Sequence, residues 1–196
     1  MLSVHSSLAP LSLTRILALA FGDQYAGVPE AVLAHGADRG TAVHAACHYL
    51  DDGDLDEASL DPEVRPYVVA WGRFLADTHA QVLAAELPVE SKRYGYTGHP
   101  DRVMLYQGRR AILDIKATAA LSPLVALQTA GYAIAYEEMT GERIATRLAV
   151  RLLPDETYRM ETYTDRMDRY VFLAAVQIAS WRMKHLKGAE ACQQKS

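Results

Sequence analysis

Cysteine is scarce in this sequence. Only two cysteines, Cys47 and Cys192, occur among 196 residues, and they lie far apart along the chain. Two cysteines cannot build a framework of disulfides, and they are too few for a four-cysteine zinc or iron–sulfur site. We therefore expect a protein of a reducing compartment, the cytoplasm.

Long apolar runs and an excess of basic residues are also missing. No apolar run is long enough to span a bilayer, and residues 1–20 lack the basic start and the unbroken apolar core of a signal peptide. The formal net charge is −4, so any binding of nucleic acid must come from a local basic surface and not from the overall charge. These absences predict a soluble protein with no membrane contact.

Half of the residues are apolar, which is enough for one domain with a sizeable core. Apolar periodicity predicts helices over 12–21, 29–50, 64–85, 122–139 and 165–186. Alternation predicts strands over 85–90, 94–107, 109–117, 143–153 and 158–164, with a hairpin turn at Gln107-Gly108. This order predicts an α/β fold with a central mixed sheet flanked by helices. The single domain 1–196 is expected to comprise a mainly helical extension (1–84), a sheet core with helices (85–187) and a polar tail (188–196).

Two acidic positions and one lysine carry the chemical signal. If the strands around them pair as an antiparallel hairpin, Asp101 and Asp114 meet at the same end of it. Asp114 and Lys116 then share one face, and Ile115 points into the core with its carbonyl left beside the carboxylates. Carboxylate and carbonyl oxygens suit magnesium or manganese, and a neighbouring lysine can activate water and offset negative charge. Taken alone, the Asp-x-Lys pattern is equally compatible with a surface salt bridge.

Three motifs together resemble a known nuclease family. Pro100-Asp101 and Asp114-Ile115-Lys116 resemble the signature of the PD-(D/E)XK nucleases. Gln128 and Tyr132, at helical spacing i and i+4, resemble the Q-x-x-x-Y motif of the RecB-like and lambda-exonuclease-like branch. Residues 39–44, Arg-Gly-Thr-Ala-Val-His, resemble the R-G-T-x-x-H motif of the same branch. The resemblance implies a restriction-endonuclease-like fold and hydrolysis of DNA with Mg²⁺ or Mn²⁺, as in phage-type exonucleases that act on DNA ends.

The resemblance also implies a role for each matching residue. It implies a metal site with four ligands, which are His44, Asp101, Asp114 and the carbonyl of Ile115. Lys116 would position or activate the attacking water. Gln128 and Tyr132 would contact DNA phosphate and support the lysine, although Tyr132 also fits an ordinary core position.

Further candidates come from the residues themselves. Glu86 and Glu90 precede the hairpin, and either could be an additional metal ligand or support one, although a solvated side chain is the simpler interpretation of both. Arg102, Arg147 and Arg151 are candidate contacts to DNA, and the last two share one face of a predicted strand. Scattered surface arginines would explain each of them equally well. His48 stands where many relatives carry a glutamate, and zinc held by His44 and His48 is a weaker alternative.

Other functions stay open at this point. A structure- or strand-specific endonuclease or an RNase would use the same fold. A catalytically silent module that binds nucleic acid or protein is a second alternative, and the intact Asp101, Asp114 and Lys116 set argues against it. DNA is the expected partner, in the cytoplasm of a bacterial or phage-infected cell. A homo-oligomeric ring, or a partner protein in recombination or replication, would accord with the family, but the sequence establishes neither.

Overall fold

The computed structural model describes residues 10–22 and 27–186. The helices are α1 (Leu13–Phe21), α2 (Glu30–Asp52), α3 (Arg65–Thr78), α4 (Leu124–Thr140) and α5 (Met167–His185). The strands are β1 (Leu11–Ser12), β2 (Gln81–Ala85), β3 (Val89–Ser91), β4 (Tyr96–Gly98), β5 (Arg102–Tyr106), β6 (Arg109–Lys116), β7 (Thr146–Leu152) and β8 (Tyr158–Tyr163). None of the helices in these ranges has the length and apolar content needed to cross a membrane. The predicted tail, 188–196, lies outside the described residues.

A five-stranded mixed sheet forms the centre of the molecule. Its strand order is β2-β5-β6-β7-β8, with β6 and β7 parallel and the other neighbours antiparallel. One apolar core joins one face of the sheet to α2 and α3, and a second joins the other face to α1, α4 and α5. The predicted α/β fold with a mixed sheet between helices is confirmed. A small sheet of order β1-β4-β3 lies beside the second core.

The hairpin of β5 and β6 has the predicted turn. Gln107 and Gly108 have φ angles of 50° and 72°, and two left-handed residues in succession match the twist of a two-residue hairpin. Strand alternation then assigns the faces of β6. Leu113 and Ile115 belong to the core with α2 and α3, so Asp114 points to the opposite face, which α4 and α5 cover.

Three of the predicted elements differ from the structure in their bounds. The third helix stops at Thr78 instead of 85, because His79 has a left-handed φ of 52° and the next residues form β2, paired with β5. The predicted strand 94–107 is two strands in two different sheets, β4 and β5. The predicted strand 85–90 starts only at Val89. In each case pairing with another strand sets the bounds, and local periodicity carries no information about that pairing.

A buried ion pair connects α2 to the start of β5. Arg102 has no exposed surface, and its Nε lies 2.5 Å from Asp51 Oδ2. Asp51 also accepts a hydrogen bond of 2.8 Å from Trp71 Nε1. Asp51 begins an acidic stretch of sequence of the kind that is usually solvated, yet its side chain is only 2% exposed because Arg102 and Trp71 bind it.

Replacing Asp51 with alanine should destabilise the protein by about 3–5 kcal/mol, because it removes the nearest counter-charge of the buried Arg102 guanidinium and leaves Glu86, 4.0 Å from Nη1, in its place. Urea unfolding followed by circular dichroism measures the loss. Asp54→Ala, at an exposed carboxylate close by, removes the same charge and should change the free energy of unfolding by less than about 0.5 kcal/mol. Equal losses in the two variants would show that the pair contributes nothing.

Candidate metal centre

The two aspartates lie next to each other at one end of the β5–β6 hairpin. Arg102 pairs with Leu113 in the ladder, so Asp101 stands opposite Asp114, as their spacing predicts. Asp101 Oδ2 accepts a 2.6 Å hydrogen bond from the backbone nitrogen of Ile115. Since the N–H and C=O of one strand residue point to the same side, the carbonyl of Ile115 also points toward Asp101.

Asp114 is fully buried and incompletely satisfied. Its Oδ2 lies 2.8 Å from Lys116 Nζ. Its Oδ1 is buried without a hydrogen-bond partner among the described residues. Burial raises the pKa of Asp114 to about 6, against the opposing charge of Lys116 and with the help of the neighbouring charge of Asp101. A buried carboxylate oxygen without a donor is suited to bind a cation.

His44 and Glu86 complete a cluster around Asp101. One ligand atom from each of these three residues lies within 4.8 Å of the others. His44 Nδ1 is 3.5 Å from Asp101 Oδ1 and 3.9 Å from Glu86 Oε1. Burial lowers the pKa of His44, but the hydrogen bonds of the two carboxylates outweigh burial and raise it to about 10. Conversely, burial raises the pKa of Asp101, and the hydrogen bond and charge of His44 lower it by more, so the net direction is downward.

Glu86 is held in an uncommon backbone conformation. Its φ is 48°, a left-handed value that costs free energy for a residue other than glycine. The backbone nitrogen of Glu86 donates a 3.0 Å hydrogen bond to the carbonyl of Asp101, which ties the loop after β2 to the hairpin. This pairing brings a distant carboxylate to the cluster, and the sequence offered no means of choosing Glu86 over Glu90, which is exposed and lies elsewhere.

The donor set fits a hard divalent cation. It combines one imidazole with carboxylates, and the carbonyl of Ile115 points to the same place. Magnesium and manganese prefer oxygen ligands, and manganese also accepts imidazole. Zinc held by His44 and His48 has no support, since His48 instead lies 3.4 Å from Asp52 on the exposed surface of α2.

Gln128 and Tyr132 face the same centre from α4. Gln128 Nε2 donates a 3.1 Å hydrogen bond to the Tyr132 hydroxyl. The charges of Asp114, Asp101 and Glu86 all contribute to raising the pKa of Tyr132, after burial as the largest cause. Tyr132 is therefore both a core residue and a residue directed at the carboxylates, and the two interpretations of the sequence do not exclude each other.

A glycine in β4 makes room for the tyrosine. A Cβ added at Gly98 would lie 2.6 Å from Cε1 of Tyr132, which is well inside van der Waals contact. Gly98→Ala should therefore displace the ring and destabilise the protein by about 1–3 kcal/mol. Thermal unfolding measures this loss, with Gly40→Ala as the control, because a Cβ at Gly40 meets no atom within 4 Å. An unchanged melting temperature in Gly98→Ala would contradict the close packing.

The likeness of this chain to known proteins lies in its structure. No protein-family model matches the chain, and no curated protein matches it. Among solved structures, a protein from Eubacterium rectale described as a putative exonuclease superposes with a TM-score of 0.59 at 14% identity, covering 92% of this chain and 82% of that one. This chain has the fold of that exonuclease structure. The nuclease-type fold expected from the sequence motifs is thus confirmed.

Two structures of another exonuclease superpose on this chain with lower TM-scores. The alkaline exonuclease LHK-Exo from Laribacter hongkongensis gives a TM-score of 0.40 at 14% identity, with 91% of this chain and 94% of that chain covered. LHK-Exo in complex with dAMP gives 0.41 at 15% identity, with the same coverage.

Two of the arginines proposed for DNA binding are held by partners within the protein. Arg102 is buried. In addition to the contact of its Nε with Asp51, its Nη1 donates a 2.6 Å hydrogen bond to the carbonyl of Asp101. Arg147 is 6% exposed, and it bonds the carbonyl of Ala126 and the carboxylate of Asp168. Arg102 is fully buried, so the prediction that it contacts DNA is wrong. Arg147 is nearly buried but lines a surface groove, so its predicted contact to DNA stays a prediction.

Arg151 and Arg39 hold the segment that follows Lys116. Arg151 Nη1 donates to the carbonyl of Ala119, and Arg39 Nη2 donates a 3.2 Å hydrogen bond to the carbonyl of Ala117. Arg151 is partly exposed, and its predicted contact to DNA stays a prediction. The Arg39 of the R-G-T-x-x-H motif thus connects α2, which carries His44, to the end of the lysine strand.

Proposed function

We propose that this protein is a Mg²⁺- or Mn²⁺-dependent deoxyribonuclease that hydrolyses phosphodiester bonds at DNA ends. The observation that carries the proposal is the buried Asp114, whose Oδ1 has no donor among the described residues and whose Oδ2 contacts Lys116. Asp101, which stands opposite Asp114 on the hairpin, forms a compact cluster of donor atoms with His44 and Glu86. This arrangement occurs on the fold of an exonuclease structure, and that likeness supports the fold while the side chains support the chemistry.

The ligands proposed for the cation are His44, Glu86, Asp101, Asp114 and the carbonyl of Ile115. A bound cation of this kind polarises a phosphoryl oxygen and lowers the pKa of a water ligand. His44 must lose its proton to become a ligand, and the two carboxylates that raise its pKa would then be neutralised in part by the metal charge.

Lys116 is suited to act on the water and on the phosphate. Its amine is held 2.8 Å from Asp114, and its side chain is 27% exposed, so one side is fixed by the protein while another reaches solvent. An ammonium in that position donates a hydrogen bond to a phosphoryl oxygen, or orients the attacking water, and offsets the negative charge that develops.

Gln128 and Tyr132 are proposed to orient the DNA. Their side chains are joined by a hydrogen bond and lie beside the carboxylates. An amide and a hydroxyl can each donate to a phosphate oxygen without adding charge, which positions the backbone without reading the sequence. DNA is accordingly the proposed partner of the site.

End-labelled linear duplex, single-stranded and closed circular DNA, each with Mg²⁺, Mn²⁺ or EDTA, test the proposal. We expect metal-dependent loss of linear DNA and no loss of circles. Cleaved circles would identify an endonuclease instead. Absence of cleavage on every substrate, with folded protein that binds Mn²⁺, would favour a binding module and would refute the proposed activity.

A further inference from the structure

A groove of about 920 Å³ lies at the end of the central sheet opposite the metal centre. It is bounded by the last part of α4, the segment before β7, the start of α5 and the turn after β3. Arg110, near the start of β6, contacts Glu142 in the wall of this groove. Lys116 is six residues further along β6, so Arg110 and Lys116 are about 20 Å apart along the strand.

Three exposed arginines line the groove with their hydrogen-bond donors still available. Arg93, Arg143 and Arg166 make no side-chain hydrogen bond and no ion pair with any described residue. Arg169, by contrast, lies 2.6 Å from Glu137 and is neutralised by it. The groove therefore keeps positive charge that the protein itself does not use.

The carboxylates of the groove are directed to the protein. Glu142 contacts Arg110 and accepts a 2.8 Å hydrogen bond from the Tyr136 hydroxyl. Glu138 accepts hydrogen bonds from Ser91 Oγ, at 2.6 Å, and from the backbone nitrogen of Arg93, at 2.9 Å. Asp165, an exposed carboxylate of the lining, accepts a 2.8 Å hydrogen bond from the backbone nitrogen of Met167. Each of these carboxylates is engaged by the protein, so a bound anion would meet guanidinium donors whose hydrogen bonds are still available.

Aromatic rings stand among these arginines. Tyr170 is 66% exposed at the first turn of α5 and lines the groove. The guanidinium of Arg93 lies over the ring of Tyr94, 5.4 Å from its centroid. An exposed ring beside arginines, such as that of Tyr170, offers a surface on which an unpaired base stacks while phosphates are neutralised. A duplex keeps its base faces covered and offers no partner for Tyr170.

We propose that this groove binds a single strand of nucleic acid, with its phosphates at Arg143 and Arg166 and a base on Tyr170. The role of the groove rests on the proposed nuclease function, since it would hold part of the substrate strand several nucleotides away from the bond that is cut. Its binding property, however, is separable from cleavage and can be measured without it.

Fluorescence anisotropy of a labelled thymidine dodecamer, titrated with the full chain in EDTA, tests this proposal. Tyr170→Ala should weaken binding about tenfold, and so should Arg143→Ala combined with Arg166→Ala. The double variant should also reduce the slope of log K against log salt concentration by about 1.4, at about 0.7 for each phosphate contact on a single strand. The matched controls are Tyr49→Ala and Arg159→Ala, at an exposed tyrosine and an exposed arginine outside the groove, and they should leave binding within a factor of two or so of wild type.

Two results would overturn the groove assignment. The first is failure of the wild-type chain to bind the dodecamer at low salt. The second is equal affinity of the groove variants and their controls. Neither result depends on catalysis, because EDTA prevents metal-dependent cleavage. A chain that binds through the groove but never cleaves DNA would instead retain the groove and refute the nuclease proposal.

Discussion

Asp114→Asn is expected to reduce metal-dependent cleavage of linear DNA by a factor of about 10³ or more, because an amide cannot supply the negative charge that holds the cation, and without the cation the charge of the phosphate is not offset. The variant should nevertheless fold, and in EDTA at pH 8 it should melt at the same temperature as the wild type or higher. The buried carboxylate has a pKa raised to about 6. The protonated Asp114 therefore stabilises the fold at pH values below its pKa in the unfolded chain, and this stabilisation is lost as the pH rises through 6.

Binding of Mn²⁺ distinguishes the wild-type carboxylate at position 114 from the amide of the variant. Mn²⁺ should raise the melting temperature of the wild-type protein by mass action and leave that of Asp114→Asn nearly unchanged. Asp38→Asn, at an exposed aspartate of α2, is the matched control and should behave as wild type in both assays. Cleavage at the wild-type rate by Asp114→Asn would exclude this carboxylate from the active centre.

Lys116→Ala is expected to lower the rate of cleavage by about 10²–10⁴, the range for loss of a group that transfers protons or stabilises charge. Unlike the aspartate variant, it should keep its response to Mn²⁺, because the lysine is not a ligand and its removal takes positive charge away from the cation. The comparison therefore distinguishes a residue that holds metal from one that acts on water and phosphate.

The control for the lysine is Lys184→Ala, at the exposed end of α5, which removes the same charge far from the carboxylates. Cleavage rates under single-turnover conditions isolate the chemical step from DNA binding. If Lys116→Ala lost its Mn²⁺ response together with its activity, the lysine would have a structural role, and the proposed division of labour would be wrong.

The sequence predicted those parts of the site that depend on neighbouring residues, through turn conformation, strand alternation and helical spacing. Two residues with φ above zero at Gln107-Gly108 produce the hairpin, and period-two alternation puts Asp114 and Lys116 on one face. The helical spacing of Gln128 and Tyr132 likewise brings them to one side of α4. The catalytic roles of these residues stay predictions until activity is measured.

Other parts depended on contacts between distant segments. Glu86 reaches Asp101 only because β2 pairs with β5, and β2 itself was assigned to a helix. Arg102 was placed at the surface because it is charged, whereas a partner 51 positions earlier, Asp51, allows it to be buried. Arg147 is buried for the same kind of reason, through Asp168. A charged side chain is exposed or buried according to its partner, and that partner cannot be identified from local sequence.

The most direct test is to locate manganese in a crystal of the protein soaked in Mn²⁺, by anomalous scattering. We expect a peak at about 2.0–2.3 Å from carboxylate oxygens of Asp101 and Asp114, with His44 or Glu86 as a further ligand and Lys116 beside it but not bound. A peak elsewhere, or none at a concentration that supports cleavage, would contradict the assignment of this cluster as the active centre.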